Sequence, residues 1–85
     1  MINIFKEKLN YLKEKYKKGT RIKLHYMEDG YGVPSGTCGV VEFVDDEGQI
    51  HMQWDNGRTL ALITGVDSFE IIEKPKDEIE LEVSI

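Results

Sequence analysis

Eighty-five residues, 40% hydrophobic and 32% charged, describe one soluble globular domain with too little volume for both a core and a deep catalytic cavity. No stretch approaches the roughly 18 apolar residues of a membrane span, and the N-terminus turns charged at Lys6 before a signal-peptide apolar region can form. Cys38 is the one cysteine, which excludes an intrachain disulfide, and the chain reads as cytosolic.

The net charge of −5 hides an asymmetry. Residues 1–24 carry eight bases (Lys6, Lys8, Lys13, Lys15, Lys17, Lys18, Arg21, Lys23) against Glu7 and Glu14, a balance of +6. Residues 25–85 carry three bases against fourteen acids, a balance of −11. A basic end and an acidic body attract each other, or the basic end serves a polyanion.

Residues 4–18 are predicted as a helix. Phe5, Leu9, Leu12 and Tyr16 recur at i, i+4, i+7 and i+11, a single apolar stripe. Asn3 suits the N-cap, Lys17 and Lys18 suit the C-terminal dipole, and Gly19 suits the left-handed position beyond it. From Thr20 the period becomes two. Ile22, Leu24 and Tyr26 alternate with Arg21, Lys23 and His25, giving a first strand. A loop with Gly30, Tyr31, Gly32 and Pro34 leads into a second strand through Val40, Val41, Phe43 and Val44, apolar on both faces except Glu42. Asp45-Asp46-Glu47-Gly48 is a turn.

Residues 48–60 write a strand, a turn and the start of another strand. Ile50, Met52 and Trp54 alternate with Gln49, His51 and Gln53, and Asn56-Gly57 suits a two-residue type I′ hairpin. A strand over 58–62, a tight loop over 64–67 and a last strand over 69–72 complete the set. The expected fold is therefore mainly β: a small SH3-like five-stranded barrel with one N-terminal amphipathic helix and a C-terminal extra strand or tail. The chain divides into a helix packed on the barrel (1–19), the barrel (20–73) and an acidic strand or tail (74–85). In the tail Ile79, Leu81, Val83 and Ile85 alternate with Glu78, Glu80, Glu82 and Ser84, a strand in search of an edge and a route to an oligomer.

Gly19-Thr20-Arg21-Ile22, Pro34-Ser35-Gly36-Thr37, Gly39-Val40-Val41, Asp45-Asp46-Glu47-Gly48, the run from Gln49 to Leu62 and Gly65-Val66-Asp67-Ser68-Phe69-Glu70 together resemble domain-of-unknown-function family 4314. The resemblance covers roughly residues 15–72. It implies a small bacterial protein, often encoded on conjugative or phage-derived mobile elements, and brings no activity with it. Members often have Asp-Pro-Tyr where this chain has Asp29-Gly30-Tyr31, so the tyrosine matches and the proline does not. Residues 48–57, ending Trp-Asp-Asn-Gly, are also similar, over a shorter match, to the domain shared by Mind bomb and HERC-type ubiquitin ligases, which implies an SH3-like fold that binds peptides or proteins.

Three ligand-binding candidates follow: Tyr31, Trp54 and Arg58. Tyr31 lies between glycines in the long loop, where SH3-like modules place groove aromatics. Trp54 is in phase with Ile50 and Met52, which favours a core position closing one end of the barrel over a half-open platform. His25 and His51 lie out of phase with the core, and no His/Cys/carboxylate spacing matches a metal site. Cys38 opens an apolar strand, the ordinary place for a small buried thiol, and no base is identified for it. The glycines match no phosphate loop. The expectation is a non-enzymatic protein or peptide interaction module without cofactor or metal. The alternative is a nucleic-acid-binding accessory using the eight N-terminal bases; membrane binding is not expected.

Overall fold

The computed structural model describes residues 3–28 and 32–75. Helix α1 (Ile4–Lys15) is followed by strands β1 (Arg21–Tyr26), β2 (Cys38–Val44), β3 (Gln49–Trp54), β4 (Leu62–Ile63) and β5 (Ser68–Glu73). The strands form one antiparallel sheet in the order β4-β3-β2-β1-β5. The mainly β fold with an N-terminal helix is as the alternation predicts. The sheet is not closed into a barrel: β4 and β5 are its two edges. The predicted tail strand, 79–85, lies outside the described residues, as does Tyr31.

Helix α1 starts where Asn3 caps it, its Oδ1 accepting from the Lys6 N–H at 3.0 Å. It ends three residues before the predicted boundary. Tyr16 leaves helical geometry at φ −111°, ψ 63° because its ring is drawn into the core, edge-on to Phe69 with centroids 5.8 Å apart. Gly19 still takes its positive φ of 95°. It serves the turn into β1, donating its N–H to the Val41 carbonyl at 2.9 Å.

Ile22 and Leu24 of β1, Val41 and Val44 of β2, Ile50, Met52 and Trp54 of β3 and Leu62 of β4 point inward and are buried. Leu9, Leu12, Leu60, Phe69 and Ile71 pack half-buried against them. An irregularity between Val41 and Phe43 in the β2–β3 register explains why β2 reads as apolar on both faces. An extra residue re-aims the strand, so Val41 and Val44 both face the core while Phe43 is exposed and stacks on His51 at 4.3 Å.

The β3–β4 hairpin differs from the type I′ expectation. Among the described residues no non-glycine has positive φ, so Asn56 does not adopt the required conformation. The loop is instead three residues, Asp55-Asn56-Gly57. The Gly57 N–H donates to the Trp54 carbonyl and the Trp54 N–H to the Arg58 carbonyl, both at 2.9 Å, with Gly57 at φ 89°. This is the turn-plus-left-handed-glycine scheme of three-residue hairpins. The β2–β3 turn repeats it: Gly48 donates to Asp45 and Asp45 to Gln49, both at 3.0 Å, with Gly48 at φ 85°.

The predicted strand over 58–62 shrinks to Leu62–Ile63. The Trp54 indole N–H donates to the Leu60 carbonyl at 2.8 Å. This places an indole where a ladder bond would otherwise run, and pairing resumes only at Ile50–Leu62 and Gln49–Ile63.

Candidate interaction surface

The sequence-predicted residues do not converge. Trp54 is 3% exposed. It covers Gly39 so closely that a Cβ there would meet the Gln53 carbonyl oxygen and the indole at 2.8 Å. With its N–H spent on Leu60, the indole is a core residue and presents no open face. Arg58 is exposed at the end of the β3–β4 loop, its backbone N–H donating to Asn56 Oδ1 at 3.0 Å.

Lys13, Lys15, Lys17 and Arg21 of the eight N-terminal bases turn to different partners. Lys13 reaches Asp46 in the β2–β3 turn at 2.8 Å, tying the helix to the sheet. Arg21 grips Asp55 with two bonds of 2.9 Å. That bond raises the pKa of the guanidinium and lowers that of the Asp55 carboxylate. Lys17 lies 3.5 Å from Glu14. Lys15 sits over the Tyr11 and Tyr16 rings, at 5.6 and 5.5 Å from their centroids, and the Tyr16 phenol, foremost, raises its pKa. Lys6, Lys8, Lys18 and Lys23 are exposed.

Both histidines find acids. His25 Nε2 lies 3.0 Å from Glu70 across β1 and β5. His51 Nε2 lies 2.7 Å from Asp45 Oδ2, and that bond, helped by the Gln49 and Glu47 amides on Asp45 Oδ1, lowers the pKa of the Asp45 carboxylate. Among the described residues no group of three His, Cys, Asp or Glu could hold a metal ion.

One feature emerges only in three dimensions. Phe5, 59% exposed, and Ile63, 43% exposed, line a groove of about 260 Å³ with Leu9, Leu12 and Thr64. On the other side of Ile63 a groove of about 480 Å³ is lined by Met27, Leu60, Ala61 and the exposed Val66. Ile63 thus lines both recesses at the β4 edge, with Phe5 in the wall of one and Val66 in the wall of the other, and the three exposed side chains make up an apolar ridge along the two grooves. The trace in the sequence is the pair Leu62-Ile63: a strand hides only one of two successive side chains, and Leu62 is the one taken inside.

The Ile63 backbone at the centre of this ridge is already satisfied. Asp67 accepts from the Ile63 N–H at 2.9 Å through one oxygen and from the Glu28 N–H at 3.0 Å through the other. The Ile63 carbonyl accepts from Val66 and Asp67 at 3.1 and 2.9 Å. A ligand here meets side chains, not an open ladder.

Among the described residues no helix is long and apolar enough to cross a membrane. No curated protein matches the chain. The family model of the domain of unknown function DUF4314 matches residues 5–72. That span takes in the helix stripe, both three-residue hairpins and nearly all of β5, so the chain belongs to the DUF4314 family.

Proposed function

We propose that the protein is a non-enzymatic interaction module that holds an apolar segment of a partner protein across the Phe5–Ile63–Val66 ridge. The observation that carries this reading is the ridge itself: exposed apolar side chains flanked by two recesses, on a chain otherwise rich in charge. Exposed apolar side chains grouped in this way mark an interaction site, and the recesses they line accept anchor side chains. Because Asp67 and the 63–67 turn occupy the Ile63 backbone, the partner binds by side-chain insertion and not by adding a strand. The strand order with its long first loop and tight hairpins fits the SH3-like layout, whose modules bind peptides in this manner. Tyr31 and Arg58 remain proposed flanking contacts, while Trp54 acts only by supporting the β3–β4 loop from within.

The test is selection of a displayed random peptide library on the folded protein. Enriched peptides are expected to carry two apolar anchors and to lose about ten-fold in affinity, or more, with Ile63→Lys or Phe5→Lys. Tyr31→Ala and Arg58→Ala are expected to weaken the same peptides to a smaller extent. The absence of enriched peptides, or binding undiminished by both ridge variants, overturns the reading.

A further inference from the structure

Helix α1 carries a second stripe beside the one that packs on the sheet. Ile4, Lys8, Tyr11 and Lys15 recur at i, i+4, i+7 and i+11, so they lie in one row along the helix. Ile4 is 65% and Tyr11 61% exposed, and Lys15 folds over the Tyr11 ring. The row therefore alternates apolar, cation, apolar, cation, and no α1 residue is buried.

The chain leaves the described structure beside this row. Lys74 and Pro75 line a recess with Tyr11, Glu14, Lys15 and Ile71, and Pro75 Cβ stands 3.7 Å from where a Cβ on Gly19 would be. Ten residues follow, 76–85, with Ile79, Leu81, Val83 and Ile85 in one alternating phase and Glu78, Glu80 and Glu82 in the other. Ten extended residues span up to about 33 Å, and a helix of twelve residues is about 18 Å long. A chain of that length is long enough to span α1.

We propose that residues 76–85 dock along the Ile4–Lys8–Tyr11–Lys15 row of their own helix. Ile79, Leu81 and Val83 cover Ile4 and Tyr11. The lysine stems lie alongside them, and their ammonium groups reach up to Glu80 and Glu82. Lys8 and Lys15 favour this site over the nearer edge of β5, where Glu70 and Glu73 would face more glutamates, and Glu14 beside the row is already turned to Lys17. The row meets the groove beside Phe5 and Ile63 only at Lys8, and the inference goes beyond the proposed function and stands without it.

The experiment is hydrogen exchange resolved by residue on the full-length chain. Leu81→Ser with Val83→Ser is expected to speed exchange of the amides of residues 8–15 about ten-fold while β1–β3 stay unchanged. Lys8→Glu with Lys15→Glu is expected to do the same, and adding Glu80→Lys with Glu82→Lys to restore the slow rate. Should the helix charge reversal unfold the protein, the serine variants decide alone. Unchanged α1 exchange, a change confined to β5, failure of the charge swap to restore, or an effect that depends on protein concentration, as docking on a second copy would, each overturns the proposal.

Discussion

Gly39 and Trp54 are partners across the β2–β3 ladder, and the indole takes the volume that any side chain at position 39 would need. Gly39→Ala is expected to cost about 1–3 kcal/mol, since the obstacles include backbone that cannot move aside. A urea titration checks it. Alternation alone placed Trp54 in phase with Ile50 and Met52 and so made its burial legible. The need for glycine at 39 was not, because it depends on which residue the register sets opposite. Asp45 makes a second prediction at this scale. Its folded-state pKa is depressed below the ordinary 3.8 by the His51 hydrogen bond first and by two amides after it. Its contribution is full above that ordinary value and is lost as pH falls through the folded one. Denaturation midpoints measured from neutral to acid pH are expected to fall less steeply for Asp45→Asn than for wild type.

The elements came through the sequence unevenly. Period-2 runs located β1 and β3 because each buries one face, while β2 and β5 were located as apolar runs between turn signals. The length of β4 was hidden, since the Trp54–Leu60 hydrogen bond that takes the place of ladder pairing over residues 59–61 joins a side chain to a distant carbonyl. The Asn56-Gly57 pair announced a hairpin but not its loop length: Arg58, through its carbonyl, closes the pair with Trp54. Helix α1 rests on the β2–β3 turn, with Leu12 Cδ1 3.5 Å from a Cβ built on Gly48 and Lys13 on Asp46. The exposed ion pair adds at most about 1 kcal/mol, so the apolar stripe does most of the docking. Gly48→Ala fits in space but forces a side chain to φ 85°. A loss of about 1–2 kcal/mol is expected by thermal or chemical denaturation.

Over the whole molecule, the charge asymmetry was plain in the sequence and its destination was not. Part of the basic end is answered within the fold, Lys13 by Asp46, Arg21 by Asp55 and Lys17 by Glu14. Polyanion binding must compete with those contacts. In a salt titration against mixed-sequence duplex and single strands, binding is expected to be weak, with a log–log slope shallower than about −3. A steeper slope with tight binding at low salt would bring back the nucleic-acid alternative. The ridge at β4 was illegible for a related reason: Ile63 and Val66 share one turn, but Phe5 is far from them in sequence and lines a recess with Ile63 only in the folded chain.

The two carboxylate oxygens of Asp67 have a consequence for self-association. A filament that grows by strand pairing needs two open sheet edges, one to receive and one to offer. Here Asp67 and its turn occupy the Ile63 backbone groups at one end of the sheet, leaving β5 as the longer edge at the other. Any pairing of copies through β5 would therefore terminate at two. Asp67→Ala frees the Ile63 N–H of the far edge, the turn amides still holding its carbonyl, and light scattering on concentrated solutions is expected to register particles larger than dimers for that variant alone.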